Sequence, residues 1–229
     1  MLLILGIYTP NTNAQRAYLK DKTHKAHNSW LVSIIIPSFN TAAFLDYALC
    51  SVLNQSYLHW EAIVVDDASV DDSRDIIESY ANRDKRFKPI YLQSNQGVSA
   101  ARNLALLAAN GRFIAFLDSD DVWEKHKLEL QVKTILEQDV ALSYGAYRVI
   151  SQDGVGLGDF IPKGSLDYED MLKTCQIGNS TAMYDTYKVG KIQSGSIRHD
   201  YELWLSILRQ HSSCIAPPPC VPQSLIPHI

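Results

Sequence analysis

Short apolar runs alternate with amphipathic stretches of helical period from Trp30 onward. Short, mostly apolar runs indicate buried strands, and their alternation with helices is typical of parallel sheets. The sequence predicts four such strands in this part of the chain, at 31–36, 60–65, 87–92 and 112–117. Helices are predicted after them, at 42–53, 71–80, 98–109 and 124–136. Repeated strand–helix units predict an α/β fold with a Rossmann-like, mostly parallel central sheet flanked by helices.

The pattern changes after Val140, where a β-rich run to Ile150 and a turn through Asp153 and Gly154 predict a hairpin. The elements predicted beyond it are a helix at 166–173, a strand at 180–184 and an amphipathic helix at 201–209. The proline-rich end predicts an irregular tail. We therefore expect an N-terminal extension (1–29), a single domain (30–210) with halves at 30–122 and 123–210, the second half small and β-rich, and a Pro-rich C-terminal tail (211–229).

Composition adds two exclusions to this picture. The chain has 229 residues, 46% of them hydrophobic and 20% charged, which is ordinary for a globular protein. A net charge of −4 provides no basic field for a polyphosphate backbone, so nucleic acid is not an expected partner. The cysteines show no Cys-x-x-Cys spacing, which argues against a zinc site or a disulfide framework.

The N-terminal segment carries a short apolar run, Met1 to Ile7. This run is far below the ~18 apolar residues that a membrane span needs, and no basic flank precedes it, so we expect neither an anchor nor a signal peptide. The lysines and histidines at 20–27 leave peripheral association with anionic lipid open.

Polar and acidic residues follow the predicted strands directly. In open parallel sheets, ligands bind at the carboxyl ends of the strands, so these tips are candidate site positions. The tips carry the sequences Pro37-Ser38-Phe39-Asn40, Asp66-Asp67-Ala68-Ser69, Ser94-Asn95-Gln96-Gly97 and Asp118-Ser119-Asp120-Asp121.

The last of these tips places three carboxylates within four residues, after an apolar strand. Partial burial strengthens their mutual repulsion, so the cluster favours a hard cation such as Mg²⁺ or Mn²⁺ between protein acids and a diphosphate. The alternative is that Asp121 caps the next helix while the other acids are solvated. Asp67 is equally compatible with a turn role, and Arg102 with a surface ion pair or a phosphate contact. Neither an EF-hand loop nor a P-loop is present.

The order and spacing of five segments resemble family 2 glycosyltransferases of the GT-A fold, of the bacterial surface-polysaccharide type. The segments are SIIIPSFN (33–40), VVDDAS (64–69), GVSAARN (97–103), FLDSDD (116–121) and RHDYELWL (198–205). The resemblance covers roughly residues 32 to 209. It implies that 30–122 is a nucleotide-binding half and that 123–210 is an acceptor half.

The resemblance implies a donor site for a nucleoside-diphosphate sugar, with a UDP-sugar favoured. Pro37 and Phe39 match the loop that lines the nucleotide, although the family more often has Tyr at the position of Phe39. Asp67 matches the acid that contacts the uracil ring, and Asp118 matches the acid that contacts the ribose. We add Arg102 to the donor-binding residues as a candidate phosphate contact.

The same resemblance assigns the chemistry to two acids. Asp120 matches the ligand of a divalent metal, Mn²⁺ or Mg²⁺, on the donor diphosphate. Asp200 matches the general base, which takes a proton from an acceptor hydroxyl in a single displacement with inversion at the anomeric carbon. His199 and Glu202 are alternatives to Asp200 because both lie at the same helix start. We expect Asp67, Asp120 and Asp200 to lie along one rim of the domain.

The function implied is an inverting, metal-dependent transfer of a sugar to a saccharide or lipid-linked saccharide acceptor in bacterial cell-surface polysaccharide synthesis. The location implied is cytoplasmic, with the inner face of the cytoplasmic membrane as an alternative, and the oligomeric state stays open. Few residues follow the acidic helix, so a nucleotide-sugar-binding domain without turnover is an alternative. A phosphatase of the haloacid-dehalogenase type, with Asp118 as the nucleophile and Asp120 as the acid, is another.

Overall fold

The computed structural model describes residues 30–151, 155–193, 199–211, 214–215 and 224–227, and the predictions for 1–29 and for the turn at Asp153 and Gly154 lie outside them. Twelve strands fall within this part of the chain. They are β1 (Val32–Ser38), β2 (Trp60–Asp66), β3 (Phe87–Tyr91), β4 (Phe113–Phe116), β5 (Val122–Trp123), β6 (Leu142–Ser143), β7 (Tyr147–Ile150), β8 (Gly156–Phe160), β9 (Ser165–Leu166), β10 (Met183–Asp185), β11 (Cys214–Ile215) and β12 (Ser224–Pro227).

The helices of the described residues follow the strands much as the periodicity predicts. They are α1 (Ala42–Leu53), α2 (Ser73–Arg83), α3 (Val98–Ala108), α4 (Lys127–Gln138), α5 (Tyr168–Lys173), α6 (Thr186–Val189) and α7 (His199–Gln210), with a 3₁₀ turn at Asn179–Thr181. No helix among these is long and apolar enough to cross a bilayer.

The central sheet has six strands in the order β3-β2-β1-β4-β10-β6. Its first four strands are parallel, and β10 enters antiparallel to β4. The α/β fold with a mostly parallel sheet is therefore confirmed. Because β10 and β6 come from the second half of the chain, both halves contribute to one sheet.

Helices cover both faces of this sheet. Side chains of α1, α2 and α4 pack on one face, and those of α3, α5 and α7 pack on the other. Alternate residues of β1 point into opposite cores: Ile34 and Ile36 lie in the first cluster and Ile35 in the second, and all three are fully buried. The continuous apolar run in β1 thus reflects burial on both faces.

A buried polar network joins the strand ends opposite the acidic tips. The Oε1 atom of Glu61 accepts hydrogen bonds from the Ser33 hydroxyl and from the backbone N–H of Asn110, both at 2.6 Å. Gly111 donates its N–H to the same Ser33 hydroxyl at 2.8 Å. A Cβ added at Gly111 would lie 2.6 Å from the Ser33 nitrogen, so this turn requires glycine. The network fixes how β1, β2 and the start of β4 meet.

A second sheet, in the order β5-β12-β7-β8, contains the hairpin of β7 and β8 that the sequence predicts. The prediction of an irregular tail is wrong for two segments, because β11 pairs with β9 and β12 lies between β5 and β7. Pro227 is the last residue of β12, where its missing N–H removes at most one ladder bond.

Four predicted helix starts also differ, and two of these, predicted at 166 and 201, lie at Tyr168 and His199 instead. The helix predicted from Asp71 begins at Ser73, because the Asp71 carboxylate accepts the N–H of Ala42 at 3.0 Å and of Ser73 at 3.0 Å. The helix predicted from Glu124 begins at Lys127, after the short strand β5.

Candidate active site

An open cleft of about 540 Å³ lies at the carboxyl ends of β1, β2 and β4, beside the start of α3. The six residues that the sequence assigns to donor and metal binding all line it: Pro37, Phe39, Asp67, Arg102, Asp118 and Asp120. The topology explains this meeting, because parallel strands bring their carboxyl ends to one edge.

The loop that carries Phe39 is held by a reciprocal pair of hydrogen bonds. The N–H of Asn40 donates to the Ser69 hydroxyl, and the N–H of Val70 donates to the Asn40 side-chain oxygen, both at 2.9 Å. Asn40 and Ala68 have φ angles of 53° and 63°, a left-handed conformation that is uncommon for residues other than glycine. Phe39 stays 45% exposed, so its ring is free to pack against a flat ligand.

Asp67 is almost fully buried and is engaged by backbone. Its two carboxylate oxygens accept the N–H groups of Gln96 and Gly97, each at 2.7 Å. Gly97 has a φ of 87° and directly precedes α3. The carboxylate therefore fixes the turn that opens α3, as well as facing the cleft.

Arg102 and Asp118 form an ion pair within the cleft, with Arg102 buried and Asp118 partly exposed. The side-chain amide of Asn179 donates to the same Asp118 carboxylate at 3.0 Å, and the Ser180 hydroxyl accepts the N–H of Asp118 at 3.0 Å. The Nε atom of Arg102 has no hydrogen-bond partner among the described residues. The acidic loop is thus held from α3 and from the 3₁₀ turn.

Electrostatic strain remains in the acidic loop. Burial and the charge of Asp118 raise the pKa of Asp120, and the same two causes raise the pKa of Asp121 to about 8. One carboxylate oxygen of the buried Asp121 has no partner within the described part of the chain. A divalent cation would relieve this strain, so the donor set of the loop fits Mg²⁺ or Mn²⁺.

Among the described residues, no group of three or more His, Cys, Asp or Glu side chains is arranged to hold a metal ion.

Asp200 lies apart from the cleft and does not line it. Its side chain accepts the N–H of Tyr201 at 2.8 Å at the start of α7. Burial raises the pKa of the Cys175 thiol, and the charge of Asp200 adds to this shift, which places the carboxylate near Cys175. Asp67 and Asp120 therefore share one rim as expected, while Asp200 lies outside that cleft. The side chain of His199 lies outside the described residues.

Sequence reasoning missed Asn179 and Ser180. They lie more than 50 residues beyond the loop that they contact, and nothing in the local sequence marks them as its partners. It also missed the backbone groups that bind Asp67, although Gly97 before a predicted helix indicates a special turn.

Comparison with known proteins gives the family directly. The model of the family described as Glycosyl transferase family 2 matches residues 33–189. The chain is 45% identical over 183 residues to the putative teichuronic acid biosynthesis glycosyltransferase TuaG of Bacillus subtilis, covering 79% of this chain and 73% of TuaG. It is 38% identical over 186 residues to WfgD of Escherichia coli, named a UDP-Glc:α-D-GlcNAc-diphosphoundecaprenol β-1,3-glucosyltransferase, covering 81% and 72%.

Two solved structures share the fold. S. aureus TarS 1–349 in complex with UDP-GlcNAc has a TM-score of 0.73 at 23% identity, covering 86% of this chain and 58% of the TarS chain. The mannosyltransferase PcManGT of Pyrobaculum calidifontis, with GDP-Man and Mn²⁺, has a TM-score of 0.63 at 18% identity, covering 93% and 64%. This chain thus spans less than two thirds of either structure. The GT-A fold follows from these structures, and the family match together with the relatives shows that the chain belongs to glycosyl transferase family 2.

Proposed function

We propose that this glycosyltransferase moves a sugar from a nucleoside-diphosphate sugar, with a UDP-sugar as the first candidate, to a saccharide or lipid-linked saccharide in cell-surface polysaccharide synthesis. The observation that carries the proposal is the cleft that Phe39, Asp67, Arg102, Asp118 and Asp120 line together. TuaG is named for teichuronic acid biosynthesis, and WfgD is named for a UDP-Glc donor and a diphosphoundecaprenol-linked GlcNAc acceptor.

The donor is proposed to lie with its base against Phe39 and near Asp67, and with its ribose near Asp118. Arg102 lines the cleft beside Asp118, and its guanidinium is suited to a phosphate oxygen. Asp120, with Asp118 beside it, would hold Mn²⁺ or Mg²⁺. The metal would supply a counter-charge for the diphosphate that leaves.

Asp200 is proposed as the base that removes the proton from the acceptor hydroxyl, so that the oxygen attacks the anomeric carbon and the nucleoside diphosphate departs with inversion. A positioned general base contributes about 10²–10⁴ to the rate. Asp200→Asn should therefore lower kcat at least ~100-fold while the dissociation constant for UDP stays unchanged. Glu202→Gln is the matched control at the same helix start, and a large loss in that variant alone would move the role to Glu202.

The donor site is tested by calorimetry with UDP in the presence and absence of Mn²⁺. Binding should tighten with Mn²⁺ in the wild type, and Asp120→Asn should remove most of that gain. UDP binding that is equal with and without the metal would refute the role of Asp120. NMR of the product from an α-linked UDP-sugar reports the stereochemistry, and a β linkage is expected.

A second candidate, a domain that binds a nucleotide-sugar without turnover, is favoured by one observation: Asp200 does not line the donor cleft. Release of UDP from UDP-GlcNAc or UDP-Glc, with and without a saccharide acceptor, separates the two functions. The phosphatase alternative receives no support, because the family match includes the acidic loop.

A further inference from the structure

Two aromatic rings lie next to the acidic loop without belonging to either core. Tyr147 on β7 faces Phe160 on β8 across the hairpin, with ring centroids 5.0 Å apart and planes 22° apart. Both side chains are half-buried, and neither is a member of the two hydrophobic clusters that flank the central sheet. The pair is therefore a partly exposed aromatic surface on the second half of the chain.

The Tyr147 ring packs against Gly178, which directly precedes a residue that contacts the acidic loop. A Cβ added at Gly178 would lie 3.2 Å from Cε1 of Tyr147, so the ring packs directly on the Gly178 backbone. The next residue, Asn179, donates to the Asp118 carboxylate at 3.0 Å. Tyr147 thus packs on Gly178, and the residue that follows Gly178 contacts the acidic loop.

Electrostatics supports the same placement. Burial raises the pKa of Tyr147, and the charges of Cys175 and Asp121 add to the shift. The charge of Asp200 in turn contributes to the raised pKa of Cys175. Tyr147 is therefore within electrostatic range of Asp121 in the acidic loop and of Cys175, which is itself within range of Asp200.

The pair does not line the donor cleft. A sugar seated on it would leave the donor site open, as a reaction between two substrates requires. The electron-rich face of an aromatic ring attracts the polarised C–H groups on one face of a sugar ring.

We propose that the stacked Tyr147 and Phe160 rings form an acceptor subsite, on which the apolar face of an acceptor sugar packs beside the donor cleft. The proposal deepens the proposed function and rests on it. A cross-strand aromatic pair also stabilises a hairpin, so the test must separate binding from folding.

The probe is GlcNAc α-diphosphate on a short alkyl chain, titrated by calorimetry into protein saturated with UDP and Mn²⁺. Tyr147→Ala should weaken binding of the probe about tenfold. Tyr147→Phe keeps the ring and should change it by less than about threefold. Tyr47→Ala removes a tyrosine that is 65% exposed on α1 and serves as the control for folding and surface loss. The dissociation constant for UDP should be the same in all variants.

A measurement on the unaltered protein covers the case in which Tyr147→Ala fails to fold. Ring resonances of Tyr147, assigned as those missing from the Tyr147→Phe spectrum, should shift and saturate as the probe is added. The same alkyl diphosphate without the sugar should leave them unchanged. An unshifted Tyr147, an equal shift with the sugar-free compound, or wild-type affinity in Tyr147→Ala would each overturn the subsite. Loss of UDP binding by the wild type would instead overturn the proposed function.

Discussion

Replacing Asp67 by Asn tests whether this acid shapes the site or only touches the ligand. The carboxylate accepts the N–H groups of Gln96 and Gly97 at 2.7 Å, so both of its oxygens are used. In Asp67→Asn one oxygen becomes an NH₂ group that faces an N–H donor. One charge-assisted hydrogen bond is lost and the other becomes a neutral one.

A hydrogen bond to a charged group contributes about 1.5–3 kcal/mol. Gln96 is exposed and Gly97 is half-buried, so water can replace part of the lost interaction, and we expect a cost of about 2 kcal/mol. If the turn opens locally, this cost corresponds to an approximately 30-fold larger open population.

The assay is amide hydrogen exchange of the turn before α3, with UDP affinity measured in parallel. The amides of Gln96 and Gly97 should exchange about 30-fold faster in Asp67→Asn, and UDP binding should weaken because the start of α3 is displaced. Asp72→Asn is the matched control, since Asp72 is exposed and its side chain makes no capping hydrogen bond. If Asp67→Asn loses UDP affinity while both amides keep wild-type exchange, Asp67 acts through direct contact alone and the reasoning fails.

Three further outcomes are expected. Gly111→Ala should lower the free energy of unfolding by about 3 kcal/mol in urea titrations, because the new Cβ would meet rigid backbone of β1 at 2.6 Å, whereas Gly164→Ala, where the Cβ meets nothing, should be near neutral. Burial acts to raise the pKa of Glu61, but its hydrogen bonds lower the pKa overall. The folding stability that Glu61 contributes is therefore fully present above the unfolded pKa of about 4.3 and is lost as the pH falls below that value. Glu61→Gln should therefore flatten the acid side of the stability profile, and a profile as steep as the wild type would contradict the network. Asn179→Ala should weaken UDP binding roughly three- to tenfold by freeing Asp118, and unchanged affinity would show that Arg102 alone suffices.

The first half of the fold could be predicted because its information is local. β1 and β2 are buried along their whole length, so their sequences are mostly apolar up to the point where the polar tips begin. Parallel pairing then brings Asp67 and Asp118 to one edge of the sheet. Each step needs only residues close together in sequence and one general rule of topology.

The second half could not be predicted in the same way, because its strands depend on distant partners. β10 has only three residues, and its place beside β4 is set by pairing across about 70 positions. β12 comes from a proline-rich segment and is recognisable as a strand only through β5 and β7. Asn179 and Ser180 bind the acidic loop because β10 enters the central sheet at that point.

This dependence has a consequence for how the two halves work. The acidic loop is tied to α3 through Arg102 and to the segment before β10 through Asn179 and Ser180. Gly178, in that same segment, supports the Tyr147 ring. Since one short segment contacts both the donor-side loop and the aromatic pair, a shift of that segment would disturb both surfaces together. The donor cleft therefore needs the second half of the chain for its geometry, and the first half alone would hold Asp118 from one side only.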